Sequence, residues 1–451
     1  MYQIDRNEEL TTDRLGKILA DFQTHELPKL NKYYNYYSGK QKITQKIATD
    51  TGKPCNIVVV NYCYNIVMNY LGYLTGIEIG YDNDGRFDEI IDVLKYNDVK
   101  AEDSEFLRNA LIFGRAFEIN YIDEDGKQRF RTLDPRECVP VYDNTLNNDL
   151  LYVVRFYSED LVNKSQESYI VEVYSDSSVT RYRSAVGFAS FLLIGEEPHF
   201  FDQCPVTVFS LNKEEVSIFD KVMSLQDAYN ELLSSEVDDF EAFADAYLVL
   251  KGITADEEDL VSMKEHRVLM MDSDADAQYL TKSIGDTQIQ NMLQNVNDQI
   301  HKISASPDFN DDKFMAQSGI AMRYKLVGFE NAASAIESNM KKALQRRIEL
   351  ICGILNLVGG SGEELWREAQ ITFTRNLPND LAQTVQIVNL LRGVVSQETL
   401  LTLLPFVQDV DEEMKRVRAE KEESMELYNF ASPLGGEDDE TRRDQETAEE
   451  E

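Results

Sequence analysis

Four histidines, five cysteines and one tryptophan are all that 451 residues hold of these three types. The histidines, His25, His199, His266 and His301, are scattered, so no Cys/His cluster marks a metal centre. Cys55, Cys63, Cys138, Cys204 and Cys352 are odd in number, and no two form a C-x-x-C arrangement. That points away from a disulfide framework and towards reduced thiols packed as small apolar groups. Glycine-rich phosphate cradles are missing: neither G-x-x-x-x-G-K-S/T nor G-x-G-x-x-G occurs. H-E-x-x-H and G-x-S-x-G are missing too. The best apolar run, 57–74, is broken by Asn61, Asn65, Asn69 and Gly72, so no transmembrane helix is expected. The N-terminus has neither a basic nor an apolar leader stretch, so no signal peptide is expected.

Basic charge is also scarce. Against 81 acidic residues stand 45 basic ones, a formal net charge of -36. Proteins that grip DNA are basic because they must neutralise phosphates, so composition alone argues against such grip. The charge suits a soluble surface that resists aggregation. Hydrophobic residues still make up 43%, with 23 Tyr and 21 Phe, enough for true cores and broad contact surfaces. The length implies two to four domains.

Periodicity predicts a helix over 8–37, ending at Ser38-Gly39, and another over 57–75, closed by Thr75-Gly76. A shorter helix, 103–115, runs into a hairpin whose turn is Asp123 to Gly126. Strand-like runs follow at 151–156, 169–174, 179–182, 188–193 and 206–209, so 1–212 reads as one α+β domain. Residues 214–246 are expected to be helical, with a heptad stripe Ile218, Val222, Leu225, Tyr229 and Leu232. The stripe then shifts to Leu233, Val237, Phe240 and Ala244. A second helix, 285–305, repeats the spacing with Ile289, Leu293, Val296, Ile300 and Ile303. Between them, 247–284 reads as a small β-rich insert, with strands at 247–250 and 268–271 and an acidic helix at 256–263. Pro307 stops the second helix. After a polar loop, a helix of roughly 58 Å is expected from about 320 to 358. A strand at 370–374 and helices at 381–393 and 396–425 follow, the last capped by Ser396. Residues 437–451 hold nine acids and two arginines, so 431–451 is expected to be disordered.

The chemistry on offer is thin. Asp272, Asp274 and Asp276 form D-x-D-x-D, but an EF-hand would need Gly and Glu where Ala277 and Ser283 stand. A solvated acidic loop is the simpler reading. No catalytic residue and no cofactor is expected.

Several segments, taken together, resemble the portal proteins of tailed bacteriophages, in their SPP1-like branch. One is Tyr36-Tyr37-Ser38-Gly39 with Lys53-Pro54, Asn61-Tyr62 and Gly72 to Gly76. Another is Gly114 to Phe117 before the Asp-Gly hairpin, then Pro135 and Val139 to Asp143. A third is Ser318 to Leu326 at the head of the long helix. The last is Phe373 to Pro378, then Gly393 to Leu401 and Pro405 to Val407.

The resemblance implies a helix-dominated α+β portal-type fold that forms a ring. Residues 1–213 would be the wing, sharing parts of 320–380. Residues 214–246 and 285–305 would be stem helices, 247–284 the clip, 306–319 the tunnel loop and 381–430 the crown. It implies a twelve-copy ring at one capsid vertex of the virion, assembled in the host bacterial cytoplasm, with no membrane. Partners would be further copies of the chain, capsid and scaffolding proteins, the terminase large subunit and the head-completion adaptor. Double-stranded DNA would pass through. Phe309, Asn310, Asp311, Asp312 and Lys313 would form the channel edge, with Lys302 and Lys313 touching phosphates. The clip acids Asp256, Glu257, Glu258 and Asp259 would steer basic partner surfaces. Two other readings stay open: an adaptor or scaffold without a channel, and a metal-dependent nuclease using Asp272, Asp274 and Asp276.

Overall fold

The computed structural model describes residues 2–47, 54–82, 86–159, 168–185, 187–244, 247–251, 276–280, 286–309, 319–359, 364–376, 386, 388–404, 407, 410 and 413–421. The chain divides into two units, Met1–Asn376 and Leu377–Glu451. Both helices and sheets are well represented, as the α+β reading requires.

The first unit opens on strand β1 (Tyr2–Ile4), which sequence patterning did not show. The expected first helix starts later than 8, because the Thr11 side chain accepts the Arg14 N–H and sets the cap there. Helix α1 (Thr12–Asp21) continues through a π-turn at Phe22–Glu26 into α2 (Leu27–Tyr37). The π-turn drops the fully buried Phe22 against Phe156, ring centroids 5.7 Å apart and edge-on. Helix α3 (Tyr62–Thr75) is shorter than its apolar spacing suggests, since Asn61 caps it.

Strand β2 (Gly80–Asp82), helix α4 (Asp88–Tyr96) and helix α5 (Val99–Phe113) come next. Gly114 ends α5 at φ +81°, and a Cβ there would lie 2.4 Å from the Glu215 carbonyl carbon. Only glycine satisfies both constraints. The hairpin is present as β3 (Arg115–Ile122) and β4 (Gln128–Leu133). Then come β5 (Cys138–Asp143), β6 (Leu150–Ser158), β7 (Ser168–Tyr174), β8 (Ser178–Ala185), β9 (Phe191–Pro198) and β10 (Val206–Ser210). The strand expected at 188–193 starts three residues later, because Phe188 sits in a turn at φ 53°.

Strand order is β1-β5-β6-β7-β8-β9 in one sheet and β10-β3-β4 in another. Strand β1 pairs with β5 in parallel, and the later neighbours pair antiparallel. Phe117, Leu133, Cys138, Val153, Tyr174, Cys204 and Val206 form one buried cluster drawn from both sheets. All five cysteines are free thiols, four of them buried. Burial pushes the Cys352 thiol up to about 11 and the Cys63 thiol up to about 12, so neither carries thiolate character near neutrality.

Helix α6 (Met223–Ala244) begins nine residues after the expected start. Residues 214–222 are turns and a 3-10 segment, held where the Asn212 amide bonds the Val216 backbone and Ser217 bonds Leu111. Strand β11 (Tyr247–Lys251) pairs antiparallel with β12 (Asp276–Leu280). The strand expected at 268–271 lies outside the described residues. Helix α7 (Asp286–Ser304) follows, then α8 (Gly319–Val358), at 40 residues about 60 Å long. Of its expected stripe, Leu326, Phe329, Ala333, Ile336, Met340, Leu344, Ile348 and Ile351 are buried, and Leu355 is half-buried. Strand β13 (Gln370–Thr372) pairs with β2 across nearly three hundred residues of chain.

In the second unit, Ser396 caps α9 (Gln397–Thr402) by accepting the Thr399 N–H. The helix expected to run through to 425 is interrupted: α9 ends at Thr402, ahead of Pro405, and helix is described again at 413–421. The tail 431–451 lies outside the described residues.

Candidate functional site

Helix α6 carries an unexpected interior. Its fully buried positions are Gln226, Asn230 and Ser234, while Tyr229 and Leu232 of the expected apolar stripe are only half-buried. Those three, with Asp238, repeat every four residues and so share one helix face. The extended segment 56–62 lies along that face. Asn56 N–H donates to Asp238 Oδ1 at 2.5 Å, Val58 N–H to Ser234 Oγ at 3.0 Å, Val60 N–H to Asn230 Oδ1 at 3.0 Å, and Tyr62 N–H to Gln226 Oε1 at 2.9 Å. Two residues of extended chain advance roughly 6.6 Å and four of helix 6.0 Å, so the two periods match and side chains replace a strand partner. Asn230 also donates to Gln41 Oε1 at 2.5 Å. Asn230→Leu should therefore orphan two buried groups and cost about 1–3 kcal/mol, read as a lower urea midpoint at unchanged m-value.

Helix α7 packs beside α6. Gln290 donates to Glu236 at 2.8 Å, and Leu293 and Ile300 are buried between the helices. The Tyr62 hydroxyl donates to Asn297 at 2.6 Å, and its ring meets Tyr229 and His301 edge-on. The end of α7 is pinned to α3: Tyr70 donates to the Ser304 carbonyl at 2.9 Å and Asn69 to Ser306 at 2.9 Å.

The chain then reaches the root of the expected tunnel loop. Phe309 packs edge-on against Phe329 of α8 at 6.2 Å, and Phe329 in turn touches Tyr70 and Tyr73. Around that aromatic knot runs an ionic one. Glu330 accepts from Tyr73 and from Arg375, which also reaches Glu337 at 2.6 Å. Burial pushes both carboxyls up, but bonds from Arg375, Tyr73 and Lys341 outweigh it and hold them below the usual carboxylate range. Carboxylates so held lend stability that is complete above the unfolded value near 4.5 and is lost as pH falls below it. Wild-type unfolding midpoints should drop between pH 5 and 3, and Arg375→Gln should flatten that slope.

Of the residues expected at the channel edge, Phe309 is therefore a half-buried anchor at the loop root. Asn310, Asp311, Asp312 and Lys313 lie outside the described residues. Lys302 is exposed in the last turn of α7. The clip acids Asp256, Glu257, Glu258 and Asp259 lie outside the described residues, as do Asp272 and Asp274. Asp276 starts β12 opposite Lys251. Among the described residues, no group of three or more His, Cys, Asp and Glu could hold a metal ion. Nor, among them, is any helix long and apolar enough to cross a membrane.

Sequence reasoning missed the most deeply buried charge. Arg347 of α8 is 0% exposed and bonds Glu118 of β3 through both carboxylate oxygens, at 2.8 and 2.5 Å. It also pairs with Asp103 of α5, whose other oxygen accepts from Tyr81 of β2 at 2.7 Å. The guanidinium lies over Phe130, 4.5 Å from the ring centre. Arg347 stood beside apolar stripe positions at helical spacing, which was a signal that the residue faces inward.

Side chains committed to bracing long helices, with Phe240 of α6 and Met292 of α7 left exposed, are the equipment of a structural subunit. The family described as "Phage portal protein, SPP1 Gp6-like" matches residues 17–427, and the chain belongs to it. It is 24% identical over 391 residues to the portal protein of Bacillus phage SPP1, covering 81% of this chain and 76% of that one. It is 21% identical over 366 residues to the portal protein of Clostridium phage phiCD119, covering 75% and 79%.

Proposed function

We propose that this chain is a structural, non-enzymatic subunit of a twelve-copy portal ring at one capsid vertex. The ring is the conduit for DNA packaging and ejection and the platform for the terminase motor and head-tail adaptor. Helices α6 and α7 form the stem, 247–284 the clip, and 306–319 the tunnel loop. The wing takes 1–213 with parts of 320–380, and the crown takes 381–430. The observation that carries the reading, beside family membership, is the large apolar groups left exposed on the stem helices α6 and α7 and on α8. Phe240 is 73% exposed, Met292 55%, Tyr324 77% and Val327 50%. Apolar groups of that size on long helices call for a protein partner, and a neighbouring copy supplies one.

The acidity fits a channel that passes DNA without holding it, because carboxylates repel phosphates and permit sliding. Negative-stain images of the purified protein test the reading. Rings with a central hole are expected, and Phe240→Glu should reduce them to smaller species with unchanged helicity. Discs without a hole, or no rings at all, would favour a scaffold or adaptor. Substituting Asp312 and Lys313 should alter DNA packaging or retention, and charge reversal at Asp256 to Asp259 should weaken motor docking to intact rings. Normal packaging, or normal docking, would remove that role from the loop or the clip.

A further inference from the structure

Among the described residues, the six-stranded sheet ends at β1 on one side and β9 on the other. Natural edges are guarded by charge, bulges or cover, because an open row of N–H and C=O groups invites pairing. Strand β9 lacks such charge where it is most apolar. Leu192 is 64% exposed, Leu193 57% and Ile194 50%, and Phe200 just beyond is 67% exposed. The register against β8 shifts here and leaves Ile194 as an extra residue between Leu193 and Gly195, a bulge at which the three apolar side chains stay exposed. Residues 184–195 contain no ionisable side chain, in a chain that is 28% charged.

The opposite edge has a matching feature. A groove of about 430 Å³ runs beside β1, with Ile4 and Ile18 lining it among the charged Asp5, Glu8, Arg14 and Lys17. Charges at its rim are neutralised within the chain: Arg14 pairs with Glu8 at 2.5 Å and Lys17 with Asp13 at 2.6 Å.

We propose that β9 of one copy docks along β1 of the next, with Leu193 and its neighbours in the Ile4–Ile18 groove. Two arguments select a second copy as occupant. Each copy carries -36, so two approach favourably only through surface without net charge: 184–195 is uncharged, and in the groove Arg14 and Lys17 balance Asp5 and Glu8. Symmetry decides the rest. A β9–β9 contact is self-complementary and closes at two copies, whereas β9 on β1 is head-to-tail and propagates around a ring. Backbone pairing at the edge supplies affinity and the groove supplies register. The inference rests on the ring reading above and adds to it a contact through the sheet, apart from the stem.

Cysteine cross-linking of the full-length protein tests it. In a Cys55→Ser background, Gln3→Cys with Leu193→Cys should give a ladder of covalent oligomers under mild oxidation, while each single variant stays monomeric on a denaturing gel. Cross-linked dimers from Leu193→Cys alone would establish a two-fold β9 contact and overturn the head-to-tail one. In parallel, Leu192→Glu with Leu193→Glu should cut the ring fraction at least tenfold with an unchanged far-UV spectrum. Rings that persist in that variant, or a double-cysteine protein that forms rings without cross-links, would overturn the inference and leave the portal reading intact. Absence of rings in the parent protein would overturn both.

Discussion

Arg347→Met should destabilise the protein by about 3–5 kcal/mol, because it strips the countercharge that pairs, among the described residues, with two buried carboxylates and leaves them in place. The side chains of Glu118 and Asp103 are 0% and 2% exposed. Burial alone would depress the Arg347 pKa, but these two carboxylates hold it well above its ordinary value. Burial already pushes the Glu118 carboxyl up, even with Arg347 beside it. Without the guanidinium it rises further, and the sign of the pH effect follows. A carboxyl whose folded pKa exceeds its unfolded one binds more protons in the native state, so native stability falls as pH rises from the unfolded to the folded value. The loss relative to wild type should therefore be smaller at pH 5 than at pH 8. Guanidinium unfolding at both pH values reads this directly. A loss below 1 kcal/mol, or one that grows towards acid, would show that the cluster is hydrated. Replacing all three charges by apolar residues of similar volume should recover most of the stability, since a well-packed apolar trio carries no desolvation cost.

Phe329→Ala should cost a similar amount, about 3–5 kcal/mol, by opening a cavity at a site that cannot collapse. Phe329 is 1% exposed and wedged between Tyr70, Tyr73 and Phe309. Three rings surround it, two from α3 and one from the loop root, so no single element can move in to fill the space. The energetic effect has a functional counterpart. Phe309 loses its seat, while the Ser304 and Ser306 bonds to α3 still hold the chain where it leaves α7. Hydrogen exchange should show faster amide exchange at 305–309 in the variant, with α1 and β6 unchanged. Phe329→Leu, which keeps most of the volume, should lose less than half as much stability. Unchanged exchange at 305–309 would mean that the loop root is held from elsewhere.

Local patterns announced much of this architecture. The Asp-Gly hairpin, the long apolar stripe of α8 and the paired helices flanking a small sheet all declare themselves within a few turns of chain. Gly114 was legible as a helix stop, though only the fold shows the Glu215 backbone pressed against it. The family resemblance was legible too, because it lay in segment order over most of the chain. What patterning misread was polar burial. Gln226, Asn230 and Ser234 look like a solvated face beside the apolar heptad, yet they are the buried face, since the segment leading into α3, 164–176 residues away, needs its amides satisfied. Hydropathy carries no sign of that need.

The sequence by itself determined most of the helices and strands, the acidic net charge and the apolar stripe of α8. The tertiary structure alone decided where charge and amide are buried: Arg347 against Glu118, the polar ladder of α6, and β1 in parallel beside β5. The physical reason is range. Apolar periodicity is set by neighbours a turn away, whereas a buried polar group is stable only if its partner arrives, and those partners lie more than a hundred residues off along the chain.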